Sequence, residues 1–341
     1  MQELIKNIEH VSTIIPPHLI SMKDLNRLTQ ECFFAVAHRF SQLEPHRICE
    51  LLKGKVVGTL FYQPSTRTRL NFHAALQRLG ASVIGFSDPA TTRAGDYYQE
   101  SLEDVVAFTG QLCDMLVLRH HETGSAQRAV HVSPVPLINA GDGYNEHPTQ
   151  ALGDIWTMHK ELNGLDEKVI GMIGDLAIRS LRSITIGLSE FNIKKLLFLL
   201  PPSLQIPSEI VDRLKNKNIA WELVEQAEEL LNKADLIETI GVRHPNHNLK
   251  FDKALVGEIT AEKYLLTSEL IRKNKRYIPI LHPGPRTDEI SCDVDKLDNA
   301  AYFRQANNGM WMRMAIMSGL LFKEANVKHR AKKKLLSEKV S

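Results

Sequence analysis

Short apolar runs alternate with stretches of helical spacing along the chain. Lys55–Phe61 (KVVGTLF) is apolar almost throughout, as a strand buried on both faces requires. Thr68–Leu79 then carries Phe72, Leu76 and Leu79 on one helical face, with Gly80 as its stop. Ala81–Phe86 (ASVIGF) is the next strand, and the three make a βαβ unit. Met115–Leu118 and Val135–Asn139 are further strands. A second series starts near residue 150, with a helix over Ala151–Lys160 and strands at Val169–Ile173, Lys195–Leu200, Ala234–Thr239 and Tyr277–Leu281. A last helix is predicted over Asn308–Phe322.

This alternation predicts an α/β fold with two doubly wound parallel-sheet domains. The expected domains are 1–150, completed by the C-terminal helix 308–322, and 151–307, followed by a basic tail over 323–341. No Pro/Gly/Ser linker marks the junction, so a continuous helix is expected there, with an active-site cleft beside it between the domains.

Composition narrows the class. A length of 341 residues fits two domains, and 43% hydrophobic with 24% charged residues excludes a disordered, collagen-like or disulfide-stapled chain. The 42 basic and 40 acidic residues nearly cancel, leaving no global field to attract nucleic acid. The cluster Lys328, Arg330, Lys332, Lys333 and Lys334 reads as a solvated helix end or frayed tail. Cys32, Cys49, Cys113 and Cys292 form no CxxC and fit reduced thiols. MQELIKNIEH has no signal-peptide core, and no run of about 18 apolar residues occurs. A soluble, cytoplasmic protein with no nucleic-acid or membrane partner is therefore expected.

Three segments carry candidate chemistry. Gln63-Pro64-Ser65-Thr66-Arg67-Thr68-Arg69 lies between a strand and a helix. A helix N-terminus offers open N–H groups and partial positive charge, three hydroxyls add donors, and Arg67 adds a charged fork, so the segment suits a phosphate. The plain alternative is a capped helix with two surface arginines. Asn145-Glu146-His147-Pro148-Thr149-Gln150 sets His147 and Gln150 three apart, where His147 could donate to an oxyanion and Gln150 could hold an amide. A capping His with a surface Gln is the alternative. Leu281-His282-Pro283-Gly284-Pro285-Arg286 follows a strand, and its prolines make a rigid loop whose carbonyls could face a ligand, or simply a tight turn. No GxGxxG, Walker loop, HExxH or clustered Cys/His set supports nucleotide or metal chemistry.

Taken in order, FYQPSTRTRLNF, LRH at Leu118–His120, NAGDGYNEHPTQAL, GDL at Gly174–Leu176 and LHPGPRTDEI resemble the aspartate/ornithine carbamoyltransferase family across nearly the whole chain. Pro283 and the GDGYNEHPTQ segment are similar to the aspartate carbamoyltransferase branch, since the ornithine enzymes carry cysteine at the place of Pro283. The resemblance implies a carbamoyl-phosphate half and an amino-acid half, and a homotrimer with shared active sites, with higher assembly open. It implies transfer of the carbamoyl group of carbamoyl phosphate to L-aspartate, giving N-carbamoyl-L-aspartate and phosphate in pyrimidine biosynthesis, with neither cofactor nor metal.

By the same resemblance, Ser65, Thr66, Arg67 and Thr68 hold the phosphate, and Arg119 reaches phosphate and carbonyl oxygen. Thr68 and His147 donate to the carbonyl oxygen, Gln150 holds the carbamoyl NH2, and Pro283 and Gly284 supply the loop beside it. Arg179 is expected to grip the acceptor α-carboxylate, with Arg182 in support.

The acceptor side departs from the family. Gly241-Val242-Arg243 stands where aspartate enzymes carry Arg-x-Gln, so the arginine that grips the side-chain carboxylate is Gly241 here, and Arg243 is the substitute candidate two residues on. The loop Thr92–Gln99 lacks the lysine that aspartate enzymes insert from a neighbouring subunit, and Arg93 is its only cation. Gly284 replaces a usual leucine. Two alternatives follow: a carbamoyltransferase for another amino acid or diamine, or a non-catalytic trimer that binds carbamoyl phosphate.

Overall fold

The computed structural model describes residues 1–94, 99–202, 204–241, 262–274 and 276–338, with side chains as far as Lys323. The chain packs as two compact units, Met1–Asp142 with Met310–Ser341, and Gly143–Gly309. His147 and Gln150 therefore pack with the second unit.

The first unit begins with α1 (Gln2–Ile14) and α2 (Arg27–Ser41). Next come β1 (Val56–Phe61), α3 (Thr66–Leu79), β2 (Ser82–Phe86), α4 (Leu102–Gly110), β3 (Met115–His120), α5 (Ser125–Val132) and β4 (Leu137–Asp142). Its sheet is all parallel, in the order β2-β1-β3-β4. β1, β3 and β4 are buried almost throughout, as apolar runs covered on both faces require, whereas the edge strand β2 is largely exposed. β3 and β4 run two or three residues beyond their apolar cores, carrying Arg119, His120 and Asp142 in the ladder. Gly80 ends α3 in the left-handed region at φ 81°, as its sequence position suggests.

The second unit holds α6 (Pro148–Leu162), β5 (Val169–Ile173), α7 (Arg179–Leu188), β6 (Lys195–Leu199), α8 (Ser208–Asn216), β7 (Ala220–Leu223), α9 (Ala227–Lys233), β8 (Leu236–Thr239), α10 (Ser268–Lys273) and β9 (Ile280–Leu281). Its parallel sheet has the order β7-β6-β5-β8-β9. Pro148 takes the first helical position of α6, where its missing N–H costs nothing, so the helix starts ahead of the expected Ala151. The strand expected over Tyr277–Leu281 shrinks to Ile280–Leu281. The last helix, α11 (Tyr302–Glu338), is longer at both ends than Asn308–Phe322, and the boundary between the units falls within it.

Both sheets reverse winding direction once. In the first the reversal lies between β1 and β3, and in the second between β5 and β8. In doubly wound sheets the crevice beyond the carboxyl ends of such strands is where ligands bind.

Candidate active site

In the first unit the anion segment leaves the carboxyl end of β1, and Arg119 sits at the carboxyl end of β3. Phe61 and Arg119 are register partners, and Tyr62 N–H donates to the Arg119 carbonyl at 2.8 Å. Both groups therefore stand at the winding reversal. α3 begins at Thr66 with Ser65 as its N-cap, and the Ser65 hydroxyl makes no capping bond. This hydroxyl and the positive end of α3 suit a ligand anion. Thr66 and Arg67 are exposed, while Thr68 is buried. Burial of part of its side chain lowers the Arg67 pKa, far too little to discharge a guanidinium.

Arg119 is buried and aimed by its neighbours. Its Nη1 donates to Ala140 O at 3.0 Å. Gly141 lies beside it at φ 111°, where an added Cβ would stand 2.4 Å from that Nη1. Asn139 Oδ1 accepts from Gly141 N at 2.8 Å, and Asn139 Nδ2 donates to Asp142 Oδ1 at 2.8 Å. The NAGD run is a cradle that lets the guanidinium lie against backbone.

The second unit carries the other candidates. His147 is the N-cap of α6 and is buried. Its N–H donates to Ser183 Oγ at 3.0 Å, and Ser183 Oγ donates to Glu146 Oε2 at 3.2 Å. Thr149 Oγ1 lies 3.4 Å from His147 Nδ1. Gln150, half-buried one turn into α6, donates from Nε2 to Asp154 Oδ1 at 2.8 Å. Gln305 Nε2 donates to the same oxygen at 2.6 Å and to Glu238 Oε1 at 3.3 Å. Asp154 and Glu238 are wholly buried. Burial and the charge of Asp154 push the Glu238 carboxyl well above the usual carboxylate range, against a downward pull from the Gln305 hydrogen bond.

Arg179 opens α7, just beyond β5 at the second reversal, and is only 5% exposed. Its Nη1 donates to Gly143 O at 2.8 Å. It is not an exposed helix-start arginine. Arg182, one turn on, is instead ion-paired to Glu209 of α8. Gly241 follows β8 at the same reversal and is buried, with no side chain to offer. Arg243 lies outside the described residues, as do 95–98 of the Arg93 loop. Arg93 itself is exposed, and its carbonyl accepts from Glu100 N at 2.9 Å.

Pro283 and Gly284 leave β9, next to β8. Gly284 adopts φ 75°, and its N–H donates to His282 Nδ1 at 2.7 Å. His282 therefore carries its proton on Nε2, which donates to Glu289 Oε1 at 2.5 Å. Thr287 N–H donates to both Glu289 oxygens, at 3.0 and 3.2 Å. Burial alone would raise this carboxyl, but the bonds from His282 and Thr287 outweigh it and bring its pKa down to about 2. The loop is thus braced from inside by a fixed imidazole and a carboxylate.

Two family models match in tandem. "Aspartate/ornithine carbamoyltransferase, carbamoyl-P binding domain" covers residues 17–160, and "Aspartate/ornithine carbamoyltransferase, Asp/Orn binding domain" covers 166–320. An aspartate transcarbamoylase structure from Trypanosoma cruzi, in complex with carbamoyl phosphate and aspartate, shares 30% identity over 91% of this chain and 98% of that one, with a TM-score of 0.82.

The chain belongs to the aspartate/ornithine carbamoyltransferase family.

The T. cruzi enzyme bound to carbamoyl aspartate and phosphate is also 30% identical, over 91% of this chain and 97% of that one, with a TM-score of 0.79. The complex with N-(phosphonacetyl)-L-aspartic acid matches at 30% over 91% and 96%, again with a TM-score of 0.79. As a member of this family, the chain is a carbamoyltransferase with two parallel-sheet α/β domains.

Sequence reasoning missed the supports. Asp154 was detectable as an acid four residues after Gln150, on the same face of a helix. Glu238 was detectable as an acid inside the apolar run LIET. Gln305, Ser183 and the His282–Glu289 pair carry no local signal, because their partners are distant in sequence or take part through backbone. Among the described residues no group of three His, Cys, Asp or Glu is placed to hold a metal, and no helix is long and apolar enough to cross a membrane.

Proposed function

We propose that the chain transfers the carbamoyl group of carbamoyl phosphate to the amino group of L-aspartate, giving N-carbamoyl-L-aspartate and phosphate for pyrimidine synthesis. The observation that carries this reading is the near-full-length likeness to a transcarbamoylase whose complex holds carbamoyl phosphate and aspartate. The intact Ser65–Thr68 segment and Arg119 at one winding reversal support it.

In this reading the phosphate lies on the first turn of α3, held by Ser65, Thr66, Arg67 and Thr68. Arg119 bridges phosphate and carbonyl oxygen. The amine nitrogen attacks the carbonyl carbon, and the carbonyl oxygen becomes an oxyanion that Thr68, Arg119 and His147 stabilise. The C–O bond to phosphorus then breaks, and phosphate leaves with the proton of the amine. Gln150 accepts from the carbamoyl NH2, and Arg179 pairs with the acceptor α-carboxylate. Pro283 and Gly284 border the carbamoyl group. Joining two bound reactants supplies much of the acceleration. The assembly is a cytoplasmic homotrimer in which Arg93 reaches a neighbouring site.

A second reading keeps the chemistry and changes the acceptor. Gly241 favours it, because a buried glycine at the second reversal offers no cation to a side-chain carboxylate. Phosphate release from carbamoyl phosphate decides between them. Saturable turnover with L-aspartate is expected, and turnover only with ornithine, asparagine or 2,3-diaminopropionate would assign the second reading.

A further inference from the structure

β4 carries one residue more than β3 where Arg119 lies. Leu118 pairs with Asn139 and His120 with Asp142, so two steps along β3 face three along β4, and the register shifts between them. Ala140 and Gly141 form this bulge opposite Arg119. A bulge leaves backbone groups out of the ladder and re-aims what lies beside it. Here the Gly141 N–H goes to Asn139 Oδ1 at 2.8 Å, and the Ala140 carbonyl receives Arg119 Nη1 at 3.0 Å. Asn139 is wholly buried, and its amide has a single setting. The Gly141 N–H needs its oxygen, whereas the Ile20 carbonyl at 3.0 Å and Asp142 Oδ1 at 2.8 Å need its nitrogen. Ile20 belongs to a segment that closes the open edge of β4. Leu19 N donates to Leu137 O at 2.9 Å, Asn139 N donates to Leu19 O at 2.8 Å, and Leu137 N donates to His18 Nδ1 at 3.1 Å.

We propose that Asn139 is a positioning residue for carbamoyl transfer: it pins the β4 bulge, the pinned bulge sets the Arg119 guanidinium, and the His18–Ile20 segment supports it from outside. The inference rests on the carbamoyl-phosphate reading above, in which Arg119 bridges phosphate and carbonyl oxygen. It adds to that reading a buried amide and a segment 119 positions away in sequence, neither of which meets the ligand. Every group in this chain of contacts belongs to the first unit. The physical cause is the bulge itself. Without the Asn139 oxygen, the buried Gly141 N–H loses its partner, and an unpaired buried N–H costs as much as a lost hydrogen bond. The bulge then relaxes and turns the Ala140 carbonyl. An arginine has a long flexible stem, so its planar fork takes its direction from the groups it lies against. For Arg119 those are the Ala140 carbonyl and the Cα of Gly141, over which the guanidinium rests. Asn139 therefore acts on the ligand through Arg119 alone.

A double-mutant cycle in the purified full-length protein tests this, with the Kd of carbamoyl phosphate measured by calorimetry. Arg119→Met should raise that Kd about thirtyfold, the scale of a hydrogen bond from a charged group. Asn139→Ala should raise it about tenfold in the wild type, but less than about twofold on top of Arg119→Met, where the guanidinium it sets is gone. A merely structural residue would weaken binding equally in both backgrounds. That result, or an unchanged Kd in Asn139→Ala alone, overturns the proposal. Asn139→Ser should keep part of the affinity, because its hydroxyl can still accept from the Gly141 N–H in a local turn. If the alanine variant does not fold, the serine variant takes its place in the cycle, with a rise of at least about threefold in the wild type and none over Arg119→Met. The underlying reading fails in a different way. Arg119→Met with an unchanged Kd removes Arg119 from the carbamoyl-phosphate site, and the proposal with it. A raised Kd in Arg119→Met beside an additive loss from Asn139→Ala rejects the proposal alone and leaves the reading in place.

Discussion

Arg119 lies over Gly141 so closely that a Cβ on the glycine would stand only 2.4 Å from the arginine Nη1. The glycine also sits at φ 111°, which side-chain-bearing residues rarely adopt. The arginine can lie flat on the β4 exit only because that residue is glycine. Gly141→Ala should therefore push Arg119 off the Ala140 carbonyl. We expect the Kd for carbamoyl phosphate, by calorimetry, to rise at least about tenfold, the loss of one charge-assisted contact. An unchanged Kd would mean that Arg119 does not reach the ligand.

His147 is held by its own backbone, through Ser183 Oγ, with its ring buried at the start of α6. As a donor to the developing oxyanion it should matter to the rate more than to binding. His147→Ala should lower kcat about a hundredfold and leave the Kd of carbamoyl phosphate within a few-fold. Equal losses in both would make it a binding group.

Arg179 is fixed by the Gly143 carbonyl at the second winding reversal. Arg179→Met should raise KM for the amino-acid acceptor by at least about tenfold and leave that for carbamoyl phosphate nearly unchanged. Arg182→Met breaks the Glu209 pair instead, whose arginine is 19% and glutamate 40% exposed, and should lower the melting temperature while leaving the acceptor KM nearly unchanged.

Acid should loosen the second unit through Glu289. Its carboxyl is lowered to about 2 in the fold against about 4.3 in an unfolded chain. The folded state therefore binds fewer protons than the unfolded state across this interval. The stabilisation is fully present above about pH 4 and is lost as pH falls toward 2. Thermal melts of the wild type and Glu289→Gln should converge at the acid end and separate near neutrality, with the variant melting lower. Parallel curves would remove Glu289 as the source.

The proposed sharing of sites between subunits predicts complementation. Arg93→Ala and His147→Ala are each expected to be nearly inactive. Mixing the two under conditions that exchange subunits should restore activity, because some sites then receive intact Arg93 from one chain and intact His147 from another. No recovery, with exchange verified by mass, would place Arg93 outside the neighbouring site.

The parts of the fold legible in the sequence were those with local causes. β1, α3 and β2 announced themselves by an apolar run, a helical face and a stop at Gly80. The edge strand β7 did not, because Ala220, Trp221 and Leu223 are exposed there and the run lacks a buried face. The lysine-rich far end of α11 reads equally as a solvated helix end or a frayed tail, and the structure takes the helix, since lysine, alanine and leucine are good helix formers. Within the site, Ser65–Thr68 stood out by hydroxyl and charge at a strand-to-helix turn. Arg119 and Arg179 came only through resemblance, since a lone arginine in a strand end or first turn has no pattern of its own. The clasp around Arg119 and the amides around Asp154 depend on atoms brought together by folding.

Every candidate group in the second unit leaves the carboxyl end of a strand or the first turn of a helix that follows one. The opposite rim is made of plain connections, and one of them, between α8 and β7, turns at exposed Asn218 with φ 56°. That rim is a handle. A fluorophore or peptide tag spliced between Lys217 and Asn218 would ride on the back of the sheet, so the protein can be immobilised, labelled or fused there while its chemistry runs undisturbed on the other side.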